Sequence, residues 1–538
     1  AGSREPGAGS REPGAGSREP VLAVARTVTS VGRLLDVLPI FADDPRVTVS
    51  LTIAPGSVHA AGTRELADVH GMRLLPWEKA VDEPFKLALS ASANGALHRL
   101  RAPVVVLPHG AGFSKLLPGG GISGLAASQL MHHGRVIPAA IVLPHHGQLS
   151  RLREECPQAA ERAVVAGDPC FDRIMASSHR RGEYRQAFGV PEGARMVVLS
   201  STWENDSLFE RQPDLAGRLL DELPYDGYRV AMIMHPNVWA RYQRFQIRQW
   251  LRRAERAGLI LIPPAEGWRA AITAADVFIG DYGSCALYAA GAGVPVLLAE
   301  SGSGHVAPGS PADQFAGTAR HLNPETGLRA QIDEAISAGP ASLPAGVFAP
   351  PGRSLSVLRS LCYRLLQLPE PLHPAESRSV PVPEHACPEP TAFRVHSSVE
   401  GTLVRLDRYP PDTAGGHLAA DADREPLPRY LASASVLWRT GWPAQPPHQW
   451  AAQTLATWPA ARIAAIALPD SRCVLFERDG SAWLSTAAGA VADATCHPSA
   501  WLALWRNGQR PATTALHAGE AEAVLTITPW TGAASSAK

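Results

Sequence analysis

AADVFIGDYGSCALYAAGAGVPVL, residues 275–298, decides how the middle of this chain folds. An apolar run, Val277–Ile279, ends at Asp281. A tight turn at Gly283 and Ser284 follows, then a short alanine-rich helix. Gly293, Val294 and Pro295 open a second apolar run. Strand, turn, helix start, helix and strand make a βαβ unit. The first N–H groups of such a helix lack intrahelical partners and attract anions. The stretch therefore predicts an α/β domain with a phosphate-bearing ligand.

The same pattern recurs on both sides. MVVLSSTW (196–203), YRVAMIMHP (228–236), GLILIPP (258–264) and VPVLLAE (294–300) read as strands that run into loops, with helices between them. Upstream, VLAVAR (21–26), VTVSLTI (47–53), APVVVLPHG (102–110), AAIVLPHHG (139–147) and RAVVAGDPCFDRI (162–174) repeat it, and Thr29-Ser30 can cap the first helix. Continuous apolar strands alternating with helices imply mostly parallel sheets covered on both faces. The expected division is a doubly wound domain over 21–190 and a second over 191–367. A ligand cleft is expected at the carboxyl ends of the strands.

The ends of the chain read differently. Residues 1–20 repeat AGSREPG without apolar spacing and predict a disordered tail. Residues 368–390 are proline-rich and read as a linker. Residues 391–538 hold eight of the 13 tryptophans and one clear hairpin, CVLFERDGSAWLST (473–486), turning at Asp479-Gly480. A small α+β domain with tryptophan in its core is expected there.

Fifty basic and fifty acidic residues leave no net charge, which argues against nucleic acid as a partner. The seven cysteines show no paired spacing and suit a reducing compartment. No window is apolar enough to span a membrane, and no signal-peptide core is read, so a cytoplasmic protein is expected.

Chemistry-bearing residues gather where strands end. His109-Gly110 follows a buried strand, so His109 is a general base, a phosphate contact or a loop cap. Gly110 and Gly112 allow close backbone approach, and Lys115 could neutralise phosphate. His235-Pro236 ends a strand of the second repeat in the same way. Ser200, Ser201 and Thr202 either meet phosphate or cap the following turn. Gly167-Asp168-Pro169 with Asp172 makes a turn into a helix. The pairs His132-His133 and His145-His146 lack zinc spacing, and no metal site is expected. No dinucleotide, P-loop or nucleophile-elbow motif is found. RYQRFQIRQWLRRAER (241–256) is an arginine-rich helix that either touches an anionic surface or packs its apolar face inward.

In this order the pieces resemble the CDP-glycerol glycerophosphotransferase family, the polymerases and primases of teichoic acid synthesis. His109, Gly110 and Lys115 match its His-Gly motif. Gly167, Pro169 and Asp172 match its Gly-x-Pro-x-x-Asp. Thr202-Trp203, His235-Pro236, and Asp281, Tyr282, Ser284 and Pro295 match three more. The resemblance covers roughly 100–300 and implies a GT-B fold, a tandem of two Rossmann-like domains. That fold has distant similarity to the non-hydrolysing UDP-N-acetylglucosamine 2-epimerases.

What the resemblance implies is transfer of a polyol phosphate or sugar from a nucleotide-activated donor to an acceptor hydroxyl, in cell-envelope or glycopolymer synthesis. Residues 21–190 would serve the acceptor and 191–367 the donor nucleotide. His109 and His235 would be catalytic. Gly110, Lys115, Ser201, Thr202, Asp281 and Ser284 would hold donor phosphate. The acceptor would be a polymer or a lipid-linked carrier, with contact at the inner face of the membrane, and neither metal nor nicotinamide would be needed. Four positions depart from the pattern: Glu204 and Cys170 stand where the family has Arg, Gly283 stands for the first of paired Ser, and Tyr288 stands for a carboxylate. They leave two other readings open, a decayed binding protein and an epimerase-like enzyme.

Overall fold

Strand β1, Glu19–Ala25, sends Val21, Ala23 and Ala25 to one core and Leu22 and Val24 to another. That alternation requires cover on both faces of its sheet. The computed structural model describes residues 18–57, 62–299, 304–384, 389–489 and 493–532. The heptapeptide repeat up to residue 17 and Cys387 lie outside the described residues, whereas Glu19 and Pro20 already belong to β1.

The chain divides into two compact units. The first takes the chain up to Ala176, with His305–Pro311 and Pro344–Arg378. Its strands after β1 are β2 (Val47–Ile53), β3 (Leu74–Leu75), β4 (Leu87–Ser90), β5 (Val104–Val106), β6 (Met131–His132), β7 (Arg135–Val136), β8 (Ala140–Leu143) and β9 (Ala163–Val165). Six of them join β1 in a parallel sheet ordered β3-β2-β1-β4-β5-β8-β9, and β6 pairs with β7 apart from it. The order reverses between β1 and β4, which is where doubly wound sheets open a crevice at their carboxyl edge.

The first helix is Val28–Val37, and Thr27, not Thr29-Ser30, caps it. Thr27 is extended, its hydroxyl accepts from Ser30 N–H, and the Ser30 hydroxyl reciprocates at the Thr27 N–H. Late in sequence, the helix Ser354–Leu366 returns to this unit. Its Leu355, Leu358, Leu361, Cys362 and Leu366 pack among Val21, Leu34 and Leu87. Burying each leucine contributes about 1.5–3 kcal/mol. Asp172, 4% exposed, accepts from the N–H and hydroxyl of Ser354 and so anchors that helix start.

The second unit holds Ser177–Gly304, Ala312–Leu343 and the chain from Ser379 onward. Its parallel sheet has strands β10 (Arg195–Ser201), β11 (Tyr228–Met234), β12 (Ile260–Ile262), β13 (Val277–Gly280), β14 (Val296–Leu298) and β15 (Arg320–His321). The order β12-β11-β10-β13-β14-β15 reverses between β10 and β13. The described residues of the proline-rich stretch have no regular structure but are pinned at Val380. The N–H of Val380 reaches Ser177 Oγ at 2.8 Å and its carbonyl accepts from the Tyr184 hydroxyl at 2.7 Å.

The expected small α+β domain is instead a closed barrel of nine strands: β16 (Ala392–Glu400), β17 (Leu403–Tyr409), β18 (His417–Asp421), β19 (Val436–Thr440), β20 (Ile463–Ala467), β21 (Arg472–Glu477), β22 (Ala482–Gly489), β23 (Thr513–Ala518) and β24 (Ala521–Pro529). The ring runs β16-β17-β23-β24-β22-β21-β20-β19-β18 and closes where β18 pairs with β16. Ile463, Ala465 and Ala467 face inward, while Ala464 and Ile466 face the outer helix Pro447–Thr457. The helix His497–Arg506 is buried on every side through Leu504 and packs against β16, β17, β19, β20 and β21. An apolar helix without a polar face belongs inside a core, and here it fills the barrel. The expected hairpin is β21–β22, with Phe476 opposite Ala482 and Gly480 at φ 91°.

Buried charge joins the barrel to the α/β part of its unit. Arg408 of β17 is 4% exposed and contacts Asp226 through Nε at 3.0 Å, Asp493 at 2.7 Å and the Thr495 hydroxyl at 2.9 Å. No helix among the described residues is long and apolar enough to cross a membrane.

Candidate functional site

In the second unit the site is built around Asp281, which follows β13 and is 2% exposed. Its Oδ2 accepts from Thr202 N–H at 2.7 Å, Thr202 Oγ1 at 2.7 Å and Leu208 N–H at 3.1 Å. Its Oδ1 accepts from Gly283 N–H at 3.2 Å. Burial raises the pKa of this carboxyl, and the four donors pull against that rise. Because each of these neighbours donates, the ionised form is the one the geometry holds. Asp281 thus braces the loop after β10 against the turn that starts the helix Ser284–Gly291.

Gly283 is the N-cap of that helix and contributes no side-chain cap. A Cβ at this position would lie 2.7 Å from Thr202 Cγ2 and 3.2 Å from Asp281 Oδ1. The space that a serine would need is filled by the threonine methyl. Tyr288 lies in the core at 0% exposure, its ring 5.8 Å from Trp268. Cys170, in the first unit, is 1% exposed. A guanidinium at 170 or a carboxylate at 288 would need burial, so these departures are packed into the fold. Glu204 is partly exposed on the loop after Trp203.

The hydroxyls after β10 serve their own loop. Ser201 Oγ accepts from Phe209 N–H at 2.9 Å and donates to Thr202 O at 3.0 Å. Tyr282 donates its hydroxyl to Asp206 at 3.0 Å, and burial raises its pKa, so the phenol keeps its proton.

His235 follows β11 and caps the helix Pro236–Arg256. Its Nδ1 accepts from Asn237 N–H at 3.1 Å, and its N–H donates to Ser201 O at 3.0 Å. The Trp203 ring lies 6.4 Å away. A neutral imidazole whose Nδ1 accepts carries its proton on Nε2. His235 therefore presents an N–H donor at Nε2.

In the first unit His109 is arranged the other way. Its Nδ1 faces Ala91 O at 3.2 Å, and a carbonyl can only accept, so Nδ1 carries the proton and Nε2 has a lone pair. Arg33 Nε donates to the His109 carbonyl at 3.1 Å. Surrounding protein, then the charges of Arg33, Lys115 and Arg26, lower the imidazole pKa to about 4 against the opposing bond to Ala91. His109 as a residue is exposed. The direction keeps His109 neutral at pH 7, with Nε2 able to take a proton.

Gly110 continues the same loop, Gly112 takes φ 65°, and Lys115 is exposed and bridges to Val306. Asp168 accepts from the N–H groups of Cys170 and Phe171 and caps the helix Pro169–Ala176, which makes the Gly167 turn a structural one. His145 Nδ1 likewise accepts from Gly147 N–H.

The second unit thus brings Ser201, Thr202, His235 and Asp281 together with the helix start at Ser284, and the first brings His109, Gly110 and Lys115 to one loop. Arg26 and Arg33 were not singled out from sequence. The available signal was Arg33, a charge between Val31, Leu34 and Val37 on the buried face of its helix.

No family model matches the chain, and no curated protein matches it by sequence. Among solved structures, the wall teichoic acid polymerase TagF is similar at 13% identity and a TM-score of 0.40, over 65% of this chain and 89% of that one. S. aureus MnaA with UDP is similar at 12% identity and a TM-score of 0.41, over 64% and 97%. The UDP-GlcNAc 2-epimerase of Neisseria meningitidis bound to UDP-GlcNAc is similar at 13% identity and a TM-score of 0.38, over 65% and 99%.

Proposed function

We propose that this chain is a transferase that moves a polyol-phosphate or glycosyl group from a nucleotide-activated donor to an acceptor hydroxyl. The observation that carries the reading is the opposite wiring of two imidazoles. Transfer to a hydroxyl needs a group that takes the hydroxyl proton and a group that donates to the leaving phosphate. His109, neutral with a bare Nε2, suits the first task. His235, with its Nε2–H, suits the second.

In the proposed step the acceptor oxygen attacks the transferred group and gives up its proton to a general base. The bond from that group to the nucleotide phosphate oxygen breaks, and the oxygen keeps the electron pair. His235 Nε2–H hydrogen-bonds to that oxygen. The helix start at Ser284, held by Asp281 and Thr202, supplies N–H donors to the donor phosphates. Thr202, Asp281 and Ser201 act as positioning residues, since their polar atoms are engaged within the loop. Lys115 and Gly110 serve the loop of His109. With Gly283, Tyr288 and Cys170 built into the packing, the donor need not be CDP-glycerol. The acceptor is proposed to be a polymer or a lipid-linked carrier.

The test is a thermal-shift panel of CDP-, UDP- and GDP-linked donors on the full chain, followed by measurement of nucleotide release with and without acceptor. The expected result is one donor class that raises the unfolding temperature, with acceptor-dependent release lost in His109→Ala and His235→Ala. No shift and no release with any donor would favour a binding protein. Release of UDP without acceptor would favour epimerase-like chemistry.

A further inference from the structure

The outer wall of the barrel carries an aromatic face that the transfer reading leaves unused. Trp442 follows β19 and is 45% exposed. Its ring lies 6.4 Å from that of Trp530, just past β24, with the planes 24° apart. His448, exposed in the first turn of the helix Pro447–Thr457, lies 4.9 Å from Trp530 with the planes 30° apart. Phe476 of β21 is buried and meets Trp530 and His448 edge to face, at 5.4 Å and 5.2 Å. Trp530 is thus nearly parallel to both neighbours, and a core ring backs it. The turn that presents Trp442 is fixed as well. Gly441 takes φ 75°, its N–H donates to Ala467 O at 2.8 Å, and its carbonyl accepts from Arg439 Nε at 3.1 Å. Rings held in place before a ligand arrives lose little freedom on binding.

The stretches that carry these rings are polar but uncharged. Residues 440–461 contain no Asp, Glu, Lys or Arg, and neither do residues 523–532. Arg439, next in sequence, is already paired with Asp423 at 3.1 Å. Gln445, between Trp442 and His448 in the chain, donates to Gln453 Oε1 at 3.2 Å, and both amides are at least partly exposed. An exposed aromatic patch beside polar groups marks an interaction surface. Its lack of charge gives no hold on phosphate or on an acidic polymer. The negative π faces attract the C–H groups on the flat side of a pyranose ring. Amides both donate and accept, as sugar hydroxyls do, whereas a proline-rich peptide offers carbonyl acceptors alone.

We propose that this face of the barrel binds a neutral glycan, with the C–H side of a pyranose against Trp442 and Trp530 and its hydroxyls bonded to Gln445, Gln453 and His448. Nearly parallel rings suit a flat chain of equatorially linked sugars. A polyol phosphate would bring charge that this face does not match. The site uses none of the residues of the transfer step and stands or falls independently of it.

The experiment is titration of the full chain with cellohexaose and with chitohexaose, read by calorimetry and by tryptophan fluorescence. Saturable binding of at least one of them, unchanged by added salt, is expected. Trp442→Ala should lower that affinity roughly tenfold or more. Gln445→Ala should lower it roughly threefold to tenfold. Because Trp442 and Gln445 reach the surface, thermal unfolding of both variants should match the parent. Absence of binding by both hexasaccharides would overturn the proposal, as would parent-like affinity in Trp442→Ala. Binding of a polyproline peptide that Trp442→Ala abolishes, with neither sugar bound, would also overturn it and would mark the face as a peptide groove.

Discussion

The Asp281 carboxylate accepts both the backbone N–H and the hydroxyl of Thr202, each at 2.7 Å. This pair joins the end of β10 to the end of β13, the two strands between which the sheet order reverses. Asp281→Ala leaves four donors without their acceptor in a buried place, and each unpaired donor costs about 1–3 kcal/mol. A loss of about 3 kcal/mol or more in urea unfolding of the full chain is expected. Asp281→Asn, which keeps one acceptor oxygen, should lose less. An unchanged midpoint in Asp281→Ala would contradict the bracing role.

Gly283 and Thr202 form a steric pair. Gly283→Ser places a Cβ 2.7 Å from the Thr202 methyl. Overpacking of this kind costs about 1–3 kcal/mol. Thr202→Ser removes the methyl and keeps the hydroxyl that Asp281 needs. The double variant should recover most of the stability lost in Gly283→Ser, as read by a double-mutant cycle in thermal unfolding. Additive losses would mean that the two side chains do not compete for one space.

The two imidazoles should respond differently to glutamine. An amide can donate but cannot take a proton at pH 7. His235→Gln should therefore keep more transfer activity than His235→Ala, because its amide N–H replaces Nε2–H. His109→Gln should fall as far as His109→Ala, by about 10²–10⁴ in rate. Equal loss in all four variants would remove the distinction.

The barrel should weaken in acid. Burial, then the charges of Arg506, Arg394 and His396, lowers His417 from 6.5 to about 3. Burial lowers His497 from 6.5 to about 4, opposed by Asp493. Above pH 6.5 both residues are neutral folded and unfolded, so they contribute no pH dependence. Below it the unfolded chain binds protons that the folded chain refuses, so stability falls as pH drops toward 4. The loss is on the order of 2 kcal/mol per histidine by about pH 4.5. Both ring nitrogens of His497 lack a hydrogen-bond partner among the described residues. His497→Leu should thus hold stability at pH 7 and flatten the acid slope in urea unfolding. A parent-like slope in that variant would contradict the assignment.

Most strands of the parallel sheets were legible because a buried strand writes its own apolar run, whereas Leu74–Leu75, Leu87–Ser90 and Arg320–His321 were not read. Val277–Gly280 and Tyr228–Met234 are short apolar runs that stop at a polar loop, and both are strands. The barrel was not legible. Its ring pairs β17 with β23, joining Leu403 to Ala515, and no local pattern reports a pairing so distant in sequence. Strand Ile463–Ala467 is alanine-rich and carries little strand preference. At the site, strand ends pointed to His109 and His235 but not to their protonation. That depends on Ala91 O and Asn237 N–H, which only the folded loops supply. Asp281 was expected to meet phosphate, and its burial instead gives it a bracing place. Gly283 departs from the family pattern because the Thr202 methyl occupies the space of its Cβ, a relation across 81 residues of chain.

The most direct test of the account is the proton position on these two rings. Nitrogen-15 NMR of histidine-labelled protein, assigned with His109→Gln and His235→Gln, reports which ring nitrogen carries hydrogen at pH 7. The account predicts His109 protonated at Nδ1 and His235 protonated at Nε2. The same tautomer on both rings, or a charged His109, would contradict it.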